Sequence, residues 1–305
     1  MKLTIYSPAG VVLRPPALRL ACRRLLALGY EARLDDDALA RHQRFAGDDD
    51  RRLAALHRVA DEAPDIALAA RGGYGLMRLL DRVDWPRLAR AAERGTRWVG
   101  YSDLTSLQLG LLARTGTPTW AGPLAADDFG RPEAEGGPDE LTVEVFGEAM
   151  RGELEGVGFR LPGRGQPAID GLGVRGTLWG GNLATLCSLI GTPWFPKVRG
   201  GILFVEEVNE HPYRVERGLL QLLHAGVLGA QKAVLVGAVS AWRPAAQDRG
   251  YTLRTALDSV RARTPVPLIE GLPFGHVPTK LCLPVGRRVE LLVEGRDVML
   301  AWGHG

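Results

Sequence analysis

The apolar positions along this chain change period repeatedly, and each change marks an element. "LTIYS" reads as a short strand, and "ALRLACRRLLALG" follows with apolar residues at helical spacing up to Gly29. "YEARL" is a second short strand. Asp48, Asp49 and Asp50 then open the helix "RRLAALHRVADEA", whose N-terminal dipole favours carboxylates. "DIALAA" is a continuous apolar run, the pattern of a strand buried on both faces. "RGGYG" comes next, and "LMRLLDRV" reads as a helix after it. "RWVGYS" is another strand and "LTSLQLGLLARTG" another helix. Such alternation predicts a parallel sheet flanked by helices, with ligands beyond the carboxyl ends of its strands. "RGGYG" and "YSD" both fall at such ends.

The pattern loosens from about Asp127, where "DDFGRPEAEGGPDE" is turn-rich before the helix "ELTVEVFGEAMRG". "LPGRGQPAIDGLG", residues 161–173, is dense in Gly and Pro and reads as a linker. This divides the chain into an α/β part, 1–160, and a second part, 174–305. The second part opens with a strand, a glycine turn and a helix in "VRGTLWGGNLATLCSLIG". "GILFVEEV" is an apolar strand running into acids. "PYRVERGLLQLLHAG" is a helix with Pro212 in its first turn, "KAVLVGAVS" a strand and "YTLRTALDSVRAR" a helix. The end is β-rich, with a hairpin expected to turn at Glu294-Gly295.

Composition narrows the function classes. The chain has 305 residues, 46% hydrophobic and 24% charged, enough for two globular domains. No apolar run has the length of a membrane span, and "MKLTIYSPAG" lacks the features of a signal peptide. The formal net charge is +3, with Arg and acids interspersed rather than in the basic stripe that nucleic-acid binding needs. Cys22, Cys187 and Cys282 are isolated, without metal or redox spacing, and read as thiols in a reducing cytoplasm.

Ser102 has two readings. A Ser between strand and helix is commonly an N-cap. The same turn also offers a nucleophile an exposed oxygen, free amides and a helix dipole. The GxSxG elbow is absent, since Leu104 fills the last Gly position. Among the histidines, His276 lies in the Gly/Pro-rich "LPFGHVPTK", where it is either a surface loop residue or a base. His42 and His57 fall on exposed helical positions, His224 ends a helix and His304 is in the tail. Glu206 and Glu207 end an apolar strand, where neighbours point to opposite faces, so one acid faces a site while the other faces away. "EEVNEH" also invites a metal reading, but it lacks HExxH spacing. "RGGYG" is either a tight connection or bare backbone for a substrate; it lacks the GK[ST] ending of a phosphate loop.

Five stretches together resemble the LD-carboxypeptidase family of serine peptidases. They are "ARGGYG" (70–75), "GYSDLT" (100–105), "GTLWGGNL" (176–183), "LFVEEVNEHPYRVER" (203–217) and "GLPFGHV" (271–277), in the family's order and across nearly the whole chain. The resemblance implies a Ser102–His276–Glu206 triad with an oxyanion hole from the amides of Gly73 and Asp103. It implies a flavodoxin- or Rossmann-like N-terminal domain bearing Ser102, and a smaller β-rich C-terminal α/β domain bearing Glu206 and His276, with the site in the cleft between them. Family members are usually homodimers and cut murein tetrapeptide between a diamino acid's L-centre and terminal D-Ala; no cofactor or metal is expected here. Arg71, Tyr74, Trp179, Asn182, Arg214 and Arg217 are candidate substrate contacts, the arginines because guanidinium matches a terminal carboxylate. Family members often carry Asp where Glu207 stands and His where Ala121 stands. The second departure bears on a substrate contact from that position; neither bears on the triad. Two alternatives remain: a self-immunity peptidase cleaving an aminoacyl nucleotide of the microcin C type, and a non-catalytic two-domain small-ligand clamp.

Overall fold

The computed structural model describes residues 1–163 and 167–303. Its chain forms two compact units: Met1–Arg151 with Thr192–Pro196 and Pro278–Val285, and Gly152–Gly191 with Lys197–Val277 and Gly286–Gly305.

The first unit is built on β1 (Lys2–Tyr6), β2 (Glu31–Leu34), β3 (Ile66–Ala69), β4 (Arg97–Gly100) and β5 (Thr119–Ala121), interleaved with α1 (Pro15–Ala27), α2 (Asp49–Glu62), α3 (Trp85–Glu93) and α4 (Leu104–Thr115). A fifth helix, α5 (Glu140–Arg151), follows. These strands are parallel in the order β2-β1-β3-β4-β5. That is the flavodoxin-like order, with its switch between β1 and β3. β3 is buried along its whole length, as its unbroken apolar run requires.

The expected helix "LMRLLDRV" is a short 3-10 turn, Leu76–Arg78. Leu76, Leu79, Leu80 and Val83 are buried, so their spacing satisfies packing without a full helix. The helix starts later, at α3, where Asp84 caps the Arg87 amide and Pro86 sits in the first turn.

The second unit holds β6 (Gly156–Arg160), β7 (Gly173–Asn182), α6 (Leu183–Ser188), β8 (Ile202–Val208), α7 (Pro212–His224), β9 (Ala233–Ser240), α8 (Leu253–Arg261) and β10 (Leu268–Glu270). After β11 (Leu283–Val285), the hairpin β12 (Arg288–Glu294) and β13 (Asp297–Ala301) closes the chain. The sheet order is β10-β9-β8-β7-β12-β13-β6, parallel from β7 to β10 and antiparallel elsewhere. The hairpin forms as expected, its loop one residue on at Gly295-Arg296.

Three assignments differ from the sequence pattern. β6, grouped with the first part by sequence, pairs with β13 in the second sheet. Residues 278–285, grouped with the second part, return to the first unit, where β11 pairs antiparallel with β5. Leu161, at the head of the expected linker, is buried and donates its amide to Arg296 O at 2.8 Å. Residues 164–166 of that linker, like His304, lie outside the described residues.

Candidate active site

In the first unit, β4 runs into Ser102, whose φ is +66°. A non-glycine residue there is strained and needs surrounding structure to hold it. α4 begins only at Leu104, with Asp103 in the N-cap position. The turn is closed by backbone bonds from Leu104 N to Tyr101 O (3.3 Å) and from Thr105 N to Ser102 O (3.0 Å). Ser102 therefore sits one residue ahead of the cap, at the apex of a sharp strand-to-helix turn.

The glycine turn after β3 packs against that apex. A methyl group on Gly72 would lie 2.6 Å from Ser102 Cβ and 2.7 Å from its Oγ, so only glycine fits. Three contacts fix the turn. Gly10 N, just after β1, donates to Gly72 O (3.0 Å). The fully buried Arg52 donates from Nη1 to Gly75 O (2.8 Å). Asp103 Oδ2 accepts from Leu76 N (2.8 Å). The amides of Gly73 and Asp103 have no hydrogen-bond partner among the described residues. Burial pushes the Asp103 carboxyl up to about 6, although amide hydrogen bonds from Leu76 and Gly75 and the nearby Arg52 and Arg44 pull it down.

Beside these turns, Tyr74 is half exposed and packs on Phe45, with the Arg44 guanidinium 5.8 Å from its ring centre. Arg71 donates from Nη1 to Val11 O (3.1 Å). Both come from the glycine loop whose Gly72 packs against Ser102.

In the second unit, His276 Nδ1 lies 2.7 Å from Glu206 Oε2. The Glu206 side chain is fully buried, and its Oε1 has no hydrogen-bond partner among the described residues. A bulge in β9 prepares this meeting: Val205 pairs with Val236 but Glu207 with Val239, so β9 carries an extra residue opposite Glu206. There Ala238 N turns to Phe274 O (2.8 Å), drawing the "LPFGH" loop onto the strand. Phe274 packs edge-on against Phe204, and Ser240 Oγ donates to His276 O (3.1 Å). A carboxylate at Nδ1 places the proton there and leaves Nε2 as acceptor.

Glu207 points the other way, as strand alternation requires. It accepts from Asn182 Nδ2 (2.9 Å), Val208 N (2.9 Å) and Ala184 N (2.8 Å), tying β8 to the start of α6. Burial raises its pKa, these hydrogen bonds oppose the rise, and Glu206 adds to it.

The remaining candidates divide. Trp179 is fully buried and donates to Gln231 Oε1 (2.9 Å), so its indole belongs to the core rather than to a binding surface. Asn182 is buried and caps α6 by accepting from Thr185 N (3.1 Å) while it donates to Glu207. Its neighbours Gly180 and Gly181 are strand residues of β7, not a turn. Arg214 is exposed, pairs with Glu210 (3.3 Å) and lies over the Tyr213 ring. Arg217 is exposed on the same helix. His211 of the acidic cluster bonds Asp248 (3.0 Å). Sequence reasoning missed Arg52 and the Asp103 carboxylate. Arg52 had a signal: it falls on the apolar stripe of α2 with Ala55, Leu56 and Val59.

Comparison with known proteins places these features in a lineage. The LD-carboxypeptidase N-terminal domain family matches residues 3–122, and the LD-carboxypeptidase C-terminal domain family matches residues 175–291. A Streptomyces coelicolor protein bearing a carboxypeptidase name is 36% identical over 95% of this chain and 90% of its own. The murein tetrapeptide carboxypeptidase of Pseudomonas aeruginosa is 30% identical over 95% of this chain and 92% of its own. The crystal structure of muramoyltetrapeptide carboxypeptidase from Oxalobacter formigenes superposes with a TM-score of 0.89 at 36% identity, covering 99% of each chain. The microcin C7 self-immunity protein MccF shares the fold, at a TM-score of 0.85 and 21% identity over 98% of this chain and 95% of that one. The chain belongs to the LD-carboxypeptidase family and is a serine-type carboxypeptidase.

Proposed function

We propose that this enzyme hydrolyses the bond between the L-centre of a diamino acid and the terminal D-Ala of murein tetrapeptides, with Ser102, His276 and Glu206 as its triad. The observation that carries the reading is the Glu206–His276 hydrogen bond, a fully buried carboxylate 2.7 Å from Nδ1 of a partly exposed imidazole. Ser102 Oγ attacks the scissile carbonyl carbon and His276 Nε2 takes its proton. Glu206 holds the tautomer and stabilises the imidazolium that forms. The amides of Gly73 and Asp103 donate to the tetrahedral oxyanion. His276 then protonates the leaving D-Ala nitrogen, and water releases the acyl group by the same steps in reverse roles. Arg71, Arg214 and Arg217 are the candidates for the terminal carboxylate. The three free cysteines fit a cytoplasmic setting, and family likeness supports a homodimer. Among the described residues, no helix is long and apolar enough to cross a membrane.

The purified protein should release D-Ala from tetrapeptide, read by mass spectrometry of a mixed muropeptide pool. Ser102→Ala should lower kcat by about 10⁴-fold or more while the far-UV spectrum stays unchanged. Full activity in Ser102→Ala would sink the assignment. Turnover of an aminoacyl sulfamoyl adenosine, without tetrapeptide cleavage, would instead place the enzyme with the self-immunity peptidases.

A further inference from the structure

We infer that the Asp103 side chain is a positioning group for the oxyanion hole, the strut that fixes the glycine turn at 72–76 against the Ser102 turn. The inference rests on Ser102 being the nucleophile and on the amides of Gly73 and Asp103 being the hole.

The two proposed donors come from loops 30 residues apart in sequence, and an oxyanion hole works only if its donors are held before charge develops. Asp103 joins them within a single residue. Its backbone amide is one donor, and its carboxylate reaches across to Leu76 N at 2.8 Å, three residues beyond the other donor. The carboxylate is buried, with 7% of the residue exposed. A carboxylate accepting backbone N–H groups makes charge-assisted bonds, roughly twice as strong as neutral ones. Gly72 sits against Ser102 Cβ and Oγ with no room for a methyl group, so a small release of the turn alters the spacing of donors and nucleophile. Arg52 and Gly10 hold the turn through its carbonyls at Gly75 and Gly72. Asp103 holds it through an amide, from the nucleophile's side. Burial raises the carboxyl's pKa, which is a cost that packing alone does not require.

Asp103→Asn keeps the size and removes the charged acceptor. Its kcat on tetrapeptide should fall about 10- to 100-fold, less than deletion of a donor, with KM within about threefold. Affinity for a peptide boronic acid, which forms a tetrahedral adduct on serine, should fall by the same factor as kcat/KM. Hydrogen exchange over residues 71–78 should quicken while that over β3 stays unchanged. If Asp103→Asn keeps kcat within twofold, or if KM alone changes, the strut is wrong. Ser102→Ala separates the two ideas. Activity surviving there overturns the nucleophile; a dead Ser102→Ala beside an unimpaired Asp103→Asn overturns the strut alone. Asp103→Glu, which retains the charge at a different reach, should recover part of the boronate affinity lost in Asp103→Asn.

Discussion

The Asp103 carboxyl also leaves a mark on stability. Its pKa rises to about 6 from an ordinary value near 3.8 because burial disfavours the charged form. The folded chain therefore holds this proton more tightly than the unfolded chain does. The carboxyl's contribution to stability is complete below about pH 4 and falls away as pH rises through 6. Two pKa units correspond to about 3 kcal/mol, the upper size of the effect. Asp103→Asn has no such titration. Relative to the parent, the variant should gain roughly 1–3 kcal/mol between pH 4 and pH 7.5 in urea unfolding. A stability difference that does not move with pH would mean that the carboxyl is not buried as described. Residues of this kind were only partly legible. Glu206 and Glu207 announced themselves as acids ending an apolar strand, and alternation alone predicted their opposite faces. Asp103 next to Ser102 read only as a source of one amide, because its carboxylate's partner, Leu76, is distant in sequence.

At the scale of elements, the periodic segments were readable and the irregular ones were not. β3 and β4 and the helices α1, α2 and α4 appear where the apolar pattern puts them: α1 and α2 bury one face, while β3 and the first two turns of α4 are buried all round. "WGGN" reads as a turn because glycines hide the period of a strand, yet Gly180 lies within β7 at φ +141°. Its reason lies elsewhere in the chain: a methyl group there would come 1.8 Å from Phe204 O on the neighbouring β8. Phe204 lies two residues before Glu206, so β7 meets β8 closely just where the proposed acid is set. Gly180→Ala must push the strands apart as well as strain the backbone. Overpacking and positive-φ strain each cost about 1–3 kcal/mol, so a loss of roughly 2–5 kcal/mol is expected. Thermal unfolding should show a fall in Tm of several degrees, and tetrapeptide turnover should fall beyond what the unfolded fraction explains. A variant with the parent's Tm would contradict the tight β7–β8 approach.

Across the whole molecule, the chain's return at Pro278–Val285 is what no periodicity announced. "HVPTKLCLPVG" reads as part of the β-rich end of the second part. Instead β11 joins the first sheet and Lys280 is fully buried. Its ammonium pairs with the buried Asp128, and Thr142 Oγ1 accepts the Lys280 amide (2.8 Å). Nζ also lies 5.3 Å from the ring centre of Tyr101, the residue before Ser102. Only three residues separate His276 from Lys280 in the chain, so this anchor follows the proposed base almost at once. A buried ion pair gains little over an apolar replacement, but breaking one partner strands a charge at about 3–5 kcal/mol. Lys280→Met should therefore destabilise by up to roughly that amount, because Asp128 is left buried with Arg131 Nη2, at 3.6 Å, in place of the close ammonium. Adding Asp128→Asn removes the stranded charge while an amide oxygen can still accept from Leu124 N, the bond that Asp128 Oδ2 makes now. The double variant should be more stable than Lys280→Met alone by at least about 1 kcal/mol in denaturant unfolding. If the two losses simply add, Lys280 and Asp128 are not coupled, and the return of the chain to the first unit rests on β11 and on the hydrogen bonds of Thr279 to Asp139 and of the Lys280 amide to Thr142.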